Sequence, residues 1–372
     1  MHILFAGGGT AGHINPALAI AGYIREKHPD SHISYIGTPN KLEARLVPEK
    51  GYNFRTIEVA GLTRSLSAKG LLKNAKALSL VATASVNARR ILKELQPDVV
   101  IGTGGYVSGP VLREAVKLGI KTAIHEQNAF PGITTKLLAQ KVDAVMLAMP
   151  EAQKYMKLKN KPYITGNPVR RELLSITRGR ARDALGIDNR PLLLSFGGSL
   201  GAKYINLAVE GLIEWHNNTG RFYHIHGTGK SGYESVVNYF NDKNIKLSSE
   251  IDIREYIKNM DECMAAADLV ISRAGAITLS EITALGKPAI LIPSPYVAEN
   301  HQFHNAMTLK RVGAAEIIEE KDLTAEKLIS VVEGLIENKP RLAKMSENAK
   351  KVAITDANER IYDVIMRLYT NA

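Results

Sequence analysis

Along the 372 residues, short unbroken apolar runs alternate with longer stretches in which apolar positions recur every three or four residues. In the first half, Ile3–Ala6, Ile33–Ile36, Val99–Ile101, Ala123–Ile124 and Ala144–Leu147 have the length and composition of strands buried on both faces. Leu192–Phe196, Tyr223–Ile225, Leu269–Ile271 and Ala289–Ile292 repeat the scheme in the second half, and Tyr163–Thr165 reads as a strand between the two sets. A loop and a helical pattern follow each run, and from Ala325 onward the pattern is helical alone. Strands separated by helices are joined by crossovers, which makes their sheets parallel. The expected fold class is α/β, with two Rossmann-like doubly wound domains facing across a cleft.

The length agrees with two domains at roughly 100–200 residues each. Strong turn signals at Gly166-Asn167-Pro168 put the boundary close by. The expected division is 1–163 for the N-terminal domain, 164–354 for the C-terminal domain, and 355–372 for a last helix that packs back on the N-terminal one.

Composition removes several classes of protein. With 45% hydrophobic and 6% aromatic residues the chain is not disordered. A single cysteine, Cys263, rules out a disulfide framework, fits a reducing compartment and is expected as a small buried hydrophobe. The first residues lack the charged and apolar regions of a signal peptide, so a cytoplasmic location is expected. No window approaches the ~18 apolar residues of a spanning helix, which leaves peripheral contact as the expected way of meeting a membrane.

The net charge of +11 is unevenly placed. Residues 1–163 carry 22 Lys and Arg against 11 Asp and Glu, and the remainder carries 26 against 26. No acidic residue lies between Glu58 and Glu94, where Arg64, Lys69, Lys73, Lys76, Arg89, Arg90 and Lys93 are all basic. An anionic partner for the first domain is expected, either nucleic acid or an anionic membrane surface. The large apolar residues of 64–93 are Leu, Ile and Val, with no aromatics to stack on bases, and this favours the membrane over nucleic acid.

Three glycine-rich loops stand where a strand gives way to a helix: GGGTAGH at 7–13, TGGYVSG at 103–109 and FGGSLGA at 196–202. Such loops present backbone amides to anions, or simply make tight turns. The first also matches the dinucleotide pattern G-x-G-x-x-G, but the acidic residue that should hold a ribose near Gly37-Thr38 is missing, which argues against a dehydrogenase. GTGKS at 227–231 lacks the first glycine of a triphosphate-binding loop, His224 standing in its place. No Asp-x-Asp occurs, so no metal site and no cofactor are expected. His224 and His226 alternate on a strand and read as core residues. RAGAITLSE at 273–281 starts a helix whose first turn can face a pyrophosphate, with Glu281 available to accept both hydroxyls of a ribose.

Taken in order, GGGTAGH, TGGYVSG, HEQN (125–128), GNPVR (166–170), FGGSLGA, SRAGAITLSE and ENHQ (299–302) resemble the MurG family of bacterial UDP-N-acetylglucosamine-dependent N-acetylglucosaminyltransferases, over essentially the whole chain. The resemblance implies the glycosyltransferase B fold, with the acceptor lipid I on the N-terminal domain and the donor UDP-N-acetylglucosamine mainly on the C-terminal one. It implies an inverting transfer to the C4 hydroxyl of the muramyl sugar, giving lipid II, at the cytoplasmic face of the membrane. Carried over position by position, Thr10, Ala11 and Gly12 line the donor side of the first loop, and Asn128 contacts the sugar. Arg170 and Ser199 lie toward the diphosphate, and Ile257 borders the uracil. Ala276, Ile277, Thr278, Leu279, Ser280 and Glu281 wrap the nucleotide, with Glu281 on the ribose, and Gln302 meets the sugar hydroxyls. His13, at the end of the first loop, is the candidate general base. The chain departs from the commonest motifs at Ala11 and His301, which bears only on fine sugar contacts.

Overall fold

The computed structural model describes residues 1–59, 83–198 and 200–371, which form two compact units, Met1–Pro168 with Asp356–Ala372, and Val169–Thr355. The first unit is built on a seven-stranded sheet of β1 (His2–Gly7), β2 (His32–Gly37), β3 (Asn53–Thr56), β4 (Val99–Gly104), β5 (Lys121–Glu126), β6 (Ala144–Leu147) and β7 (Tyr163–Ile164). All pairs are parallel, in the order β3-β2-β1-β4-β5-β6-β7. Successive side chains of a strand point to opposite faces, so each buried strand feeds two cores. Ile3, Phe5, Val99 and Ile101 pack on one side with Ile20 and Ile24 of the helix Ala11–Lys27. Leu4, Ala6, Val100 and Ile124 pack on the other with Val111 and Leu112 of the helix Ser108–Lys117 and Leu92 of the helical residues 83–95.

The last helix, Ala357–Thr370, belongs to the first core. Ile361, Val364 and Ile365 recur at helical spacing and are buried against that same β1 and β4 face. Tyr362 hydrogen-bonds His28 Nε2 through its hydroxyl at 2.6 Å. The division between units falls after Pro168 rather than after 163, because the GNP turn is tied to the first sheet. His125 Nε2 bonds the Gly166 carbonyl at 2.9 Å, and Asn167 Nδ2 donates to the Gln127 carbonyl at 3.2 Å.

The second unit carries β8 (Leu192–Phe196), β9 (Tyr223–Gly227), β10 (Ile251–Arg254), β11 (Leu269–Ser272), β12 (Ala289–Leu291) and β13 (Ala315–Ile317). They form one parallel sheet in the order β10-β9-β8-β11-β12-β13. Its main core joins Leu193, Ile271 and Ile290 to Ile205, Val209, Leu212, Val332 and Leu335 from the helices Lys203–His216 and Ala325–Ile336. His224 and His226 are fully buried, bridged by Ser195 Oγ at 2.7 Å from each, and His216 lies 3.1 Å from His224. Burial pushes His216 and His226 down to about 4, so this chain of imidazoles is neutral and structural.

In both sheets the strand order reverses next to the first strand of the unit, at β1/β4 and at β8/β11. Connections leaving the carboxyl ends of those neighbours run to opposite faces and leave a crevice, which is where open α/β sheets bind ligands. The glycine loops of the sequence lie at these two points. Among the described residues no helix is long and apolar enough to cross a membrane.

Candidate functional site

In the first unit the β1 and β4 loops interlock. Gly7 pairs in register with Gly104, and a Cβ on Gly105 would stand 2.3 Å from the Gly8 carbonyl oxygen. Gly105 also has φ +79, so both its conformation and its surroundings require glycine. Ser108 ties the second loop down: its one hydroxyl proton is shared between the carbonyls of Ala6 and Gly104, and its oxygen accepts from Gly104 N–H at 3.1 Å.

The helix after the first loop begins at Ala11, five residues before Pro16, although proline by its type favours a first turn. Thr10 is extended, and its carbonyl accepts from His13 and Ile14 N–H at 3.1 and 3.2 Å, which nucleates the first turn upstream of the proline. Pro16 lies inside the helix and, lacking an N–H, cannot bond the Gly12 carbonyl. Thr10, Ala11 and Gly12 are exposed, and His13 is half-buried in the first turn.

His13 Nδ1 lies 3.1 Å from the Gly8 carbonyl oxygen and 3.4 Å from Thr10 Oγ1. A carbonyl only accepts, so neutral His13 carries its proton on Nδ1 and has its lone pair on Nε2. The ring lies against Gly104, where a Cβ would come within 2.6 Å of Cδ2 and 2.9 Å of Nε2. The imidazole is thus fixed in orientation with its basic nitrogen defined.

Asn128 follows β5 and is fixed by Glu126, whose Oε1 accepts from the Asn128 N–H and Nδ2, each at 3.1 Å. Glu126 Oε2 takes the Gly132 N–H at 3.2 Å. Gln127 turns the other way and donates to the Thr103 carbonyl at 3.0 Å, joining the HEQN segment to the second glycine loop.

In the second unit, Ser199 lies outside the described residues. Around it, Gly201 and Gly229 touch so closely that a Cβ on Gly201 would be 2.3 Å from the Thr228 carbonyl oxygen. Ser231 Oγ donates to the Leu200 carbonyl at 2.7 Å. The GTGKS stretch therefore braces the FGGSLGA loop, which accounts for its glycines without a triphosphate. Ile257 is buried with its side chain against Gly227 at the end of β9.

The helix Ala276–Ala284 starts at Gly275, which has no side chain to cap the first-turn amides, and no acidic residue occupies that turn. Ala276 and Leu279 are buried, and Ile277, Thr278 and Ser280 are half-buried. The preceding loop is anchored by Arg273, which donates to the Ile292 carbonyl at 3.1 Å and pairs with Glu320, and by Asn305 Nδ2 on the Ala274 carbonyl at 3.2 Å. Gln302 accepts the Ser294 N–H at 2.9 Å through Oε1.

The side chain of Glu281 is 13% exposed, and Arg170 holds its Oε1 with Nε and Nη2, both at 3.2 Å. Arg170 Nη1 also lies 2.6 Å from Asp261 Oδ1. The guanidinium thus bridges two carboxylates of its own unit, and Asp261 joins the group without any mark in the sequence. Burial pushes the Glu281 carboxyl above the usual range, with Arg170 opposing it. Glu43 and Glu126 are the other groups that sequence reasoning missed. Glu126 stands inside a quoted motif, whereas Glu43 had no signal.

The glycosyltransferase family 28 N-terminal domain matches residues 3–147, and its C-terminal domain matches 192–361. Over 372 residues, the whole of this chain and 99% of the relative, the sequence is 48% identical to a UDP-N-acetylglucosamine–N-acetylmuramyl-(pentapeptide) pyrophosphoryl-undecaprenol N-acetylglucosamine transferase of Acetivibrio thermocellus. A Thermoanaerobacter protein of the same name is 46% identical over 366 residues, 98% of this chain and 99% of its own. The crystal structure of Acinetobacter baumannii MurG superposes with a TM-score of 0.80 at 28% identity, covering 98% of this chain and 99% of that one.

Proposed function

The chain belongs to glycosyltransferase family 28, and we infer that it moves N-acetylglucosamine from UDP-N-acetylglucosamine to the C4 hydroxyl of the muramyl sugar of lipid I, forming lipid II. The observation that carries this reading is the end-to-end 48% identity to a relative named for the reaction. The chain is a hexosyltransferase that inverts the anomeric centre. Inversion needs attack opposite the departing UDP, with a base to take the hydroxyl proton as the bond forms.

His13 is that base, receiving the proton at Nε2 while the Gly8 carbonyl holds Nδ1–H. The charge on the leaving diphosphate is met by the first-turn amides of the helix Ala276–Ala284, with Ser199 and Arg170 beside it. Glu281 takes the ribose hydroxyls, Ile257 the uracil, and Asn128, Gln302 and the Thr10-Ala11-Gly12 turn the sugar. The N-terminal domain serves the acceptor, and the C-terminal domain holds most of the donor. The test supplies purified protein with radiolabelled UDP-N-acetylglucosamine and lipid I. Labelled lipid II is the expected product, and absence of transfer to lipid I with transfer to another acceptor overturns the assignment.

A lipid-linked acceptor brings the enzyme to the cytoplasmic face of the membrane, and the docking surface lies within residues 64–93, of which Ile91 and Leu92 are buried in the core of the first unit while Arg89, Arg90 and Lys93 are exposed. Support comes from the basic run without acidic residues and from Leu71, Leu72, Leu78, Leu80 and Val81 among its lysines. Residues 64–82 of this segment lie outside the described residues. An anionic leaflet attracts each nearby Lys or Arg by about 1 kcal/mol, so reversing Lys69, Lys73 and Lys76 to Glu should cost on the order of 3 kcal/mol or more. Co-sedimentation with anionic vesicles at low salt should fall away in that variant, with transfer to a water-soluble acceptor analogue retained. Equal vesicle binding by both proteins moves the surface elsewhere.

A further inference from the structure

Glu43 stands outside every motif of the reaction, yet its fully buried carboxylate sits under the first glycine loop. Oε2 accepts the Gly9 N–H at 3.1 Å, and Oε1 accepts both the Thr38 N–H at 3.0 Å and the Thr38 hydroxyl at 2.7 Å. The side chain packs against two glycines: a Cβ on Gly8 would stand 2.3 Å from Oε1, and a Cβ on Gly37 would stand 2.5 Å from Cγ. Three donors converge on two oxygens, an arrangement that suits an ionised carboxylate and no neutral isostere. Burial alone would raise this carboxyl, but the bonds from Thr38 and Gly9 hold it below the usual range.

The loop so held is the one that orients His13. Gly8 and Gly9 are consecutive, and the Gly8 carbonyl is the acceptor that keeps the imidazole proton on Nδ1. We propose that Glu43 is a positioning residue for transfer: its carboxylate fixes the Gly8-Gly9 backbone, the Gly8 carbonyl fixes the His13 tautomer, and Nε2 is thereby kept as the proton acceptor. An internal anion also occupies the Gly9 amide that a phosphate-binding reading of this loop would assign to a ligand.

This proposal rests on His13 being the base, and the test separates the two. In Glu43→Gln one donor must face an amide N–H₂ instead of an oxygen, while size is kept. Expected are a thermal melt showing a folded protein, UDP affinity unchanged, and kcat lowered on the order of 10²-fold, as for a catalytic group displaced by about an ångström. The imidazole ¹⁵N shifts of His13 should move away from the Nδ1–H tautomer. Thr38→Val, which removes one donor at constant volume, should move both readouts the same way by less, and it decides the matter if Glu43→Gln does not fold. Unchanged His13 shifts overturn the proposal even if turnover falls. The shifts report the Glu43–His13 link whether or not His13 is the base, and that role is read separately from His13→Ala.

Discussion

His13→Ala should lower kcat by about 10²–10⁴-fold, the usual contribution of a general base, and leave UDP affinity unchanged. The split between the two constants follows from where the residue lies. His13 belongs to the unit of residues 1–168 and 356–372, whereas Glu281, Ile257 and the helix Ala276–Ala284 belong to the other. With His13 as the proton acceptor, its removal should act on the transition state, when the hydroxyl is losing its proton, and not on the nucleotide already bound. The ring is also not part of a core: it is half-buried, and its side-chain contacts are the Gly8 carbonyl, Thr10 and the Gly104 backbone. Stability should change little. Steady-state transfer to lipid I, with titration of UDP by calorimetry, checks both halves; near-normal turnover would leave His13 as a loop-fixing residue.

Glu281→Ala should weaken UDP binding by about ten- to a hundredfold, since hydrogen bonds to a charged acceptor contribute roughly 1.5–3 kcal/mol. The helix itself tolerates alanine, the best helix former, and Arg170 retains Asp261 as a partner. Loss of affinity without loss of fold is therefore the expected pairing. The wild type should also show a pH dependence of definite sign. A carboxyl whose pKa is raised by burial takes up its proton at a higher pH than an ordinary glutamate. A protonated Glu281 is the weaker acceptor, so UDP affinity should fall as pH drops through that raised value, and the fall should be absent in Glu281→Ala. Calorimetric titration across the acid range measures both, and equal UDP affinity in variant and wild type removes Glu281 from the ribose.

The strands read from sequence are those at the centre of each sheet and one edge strand, Tyr163–Ile164, which the turn signals after it marked. Ile3–Ala6 and Leu192–Phe196 have covered faces on both sides and so appear as solid apolar runs. β3, β10 and β13 went unread because at these edges polar residues interrupt the apolar run: Asn53–Thr56 is NFRT, Ile251–Arg254 is IDIR and Ala315–Ile317 is AEI, none fully buried. Glycine loops were legible for a related reason, since close backbone approach leaves only one residue type possible. The carboxylates were not. Glu43 and Asp261 take their meaning from partners distant in the chain, Gly9 and Arg170, and a lone acidic residue in a helical pattern looks like any solvated one. The helix start at Ala11 was obscured by Pro16, whose preference for a first turn is real but was overruled by Thr10.

The helix Ala357–Thr370 also sets an order of assembly during synthesis. Residues 169–355 are contiguous and can close their core as soon as they leave the ribosome, although they are made second. The first unit, made first, has to wait. Ile3, Phe5, Val99 and Ile101 share their core with Ile361, Val364 and Ile365, and those residues appear only after the whole second unit has been translated. At about 5–20 residues per second the delay is on the order of 10–40 s, long compared with the collapse of a chain this size. A nascent chain therefore carries an unfinished apolar face on its older half until Ile361, Val364 and Ile365 arrive, and its last stitch is the one that closes its beginning.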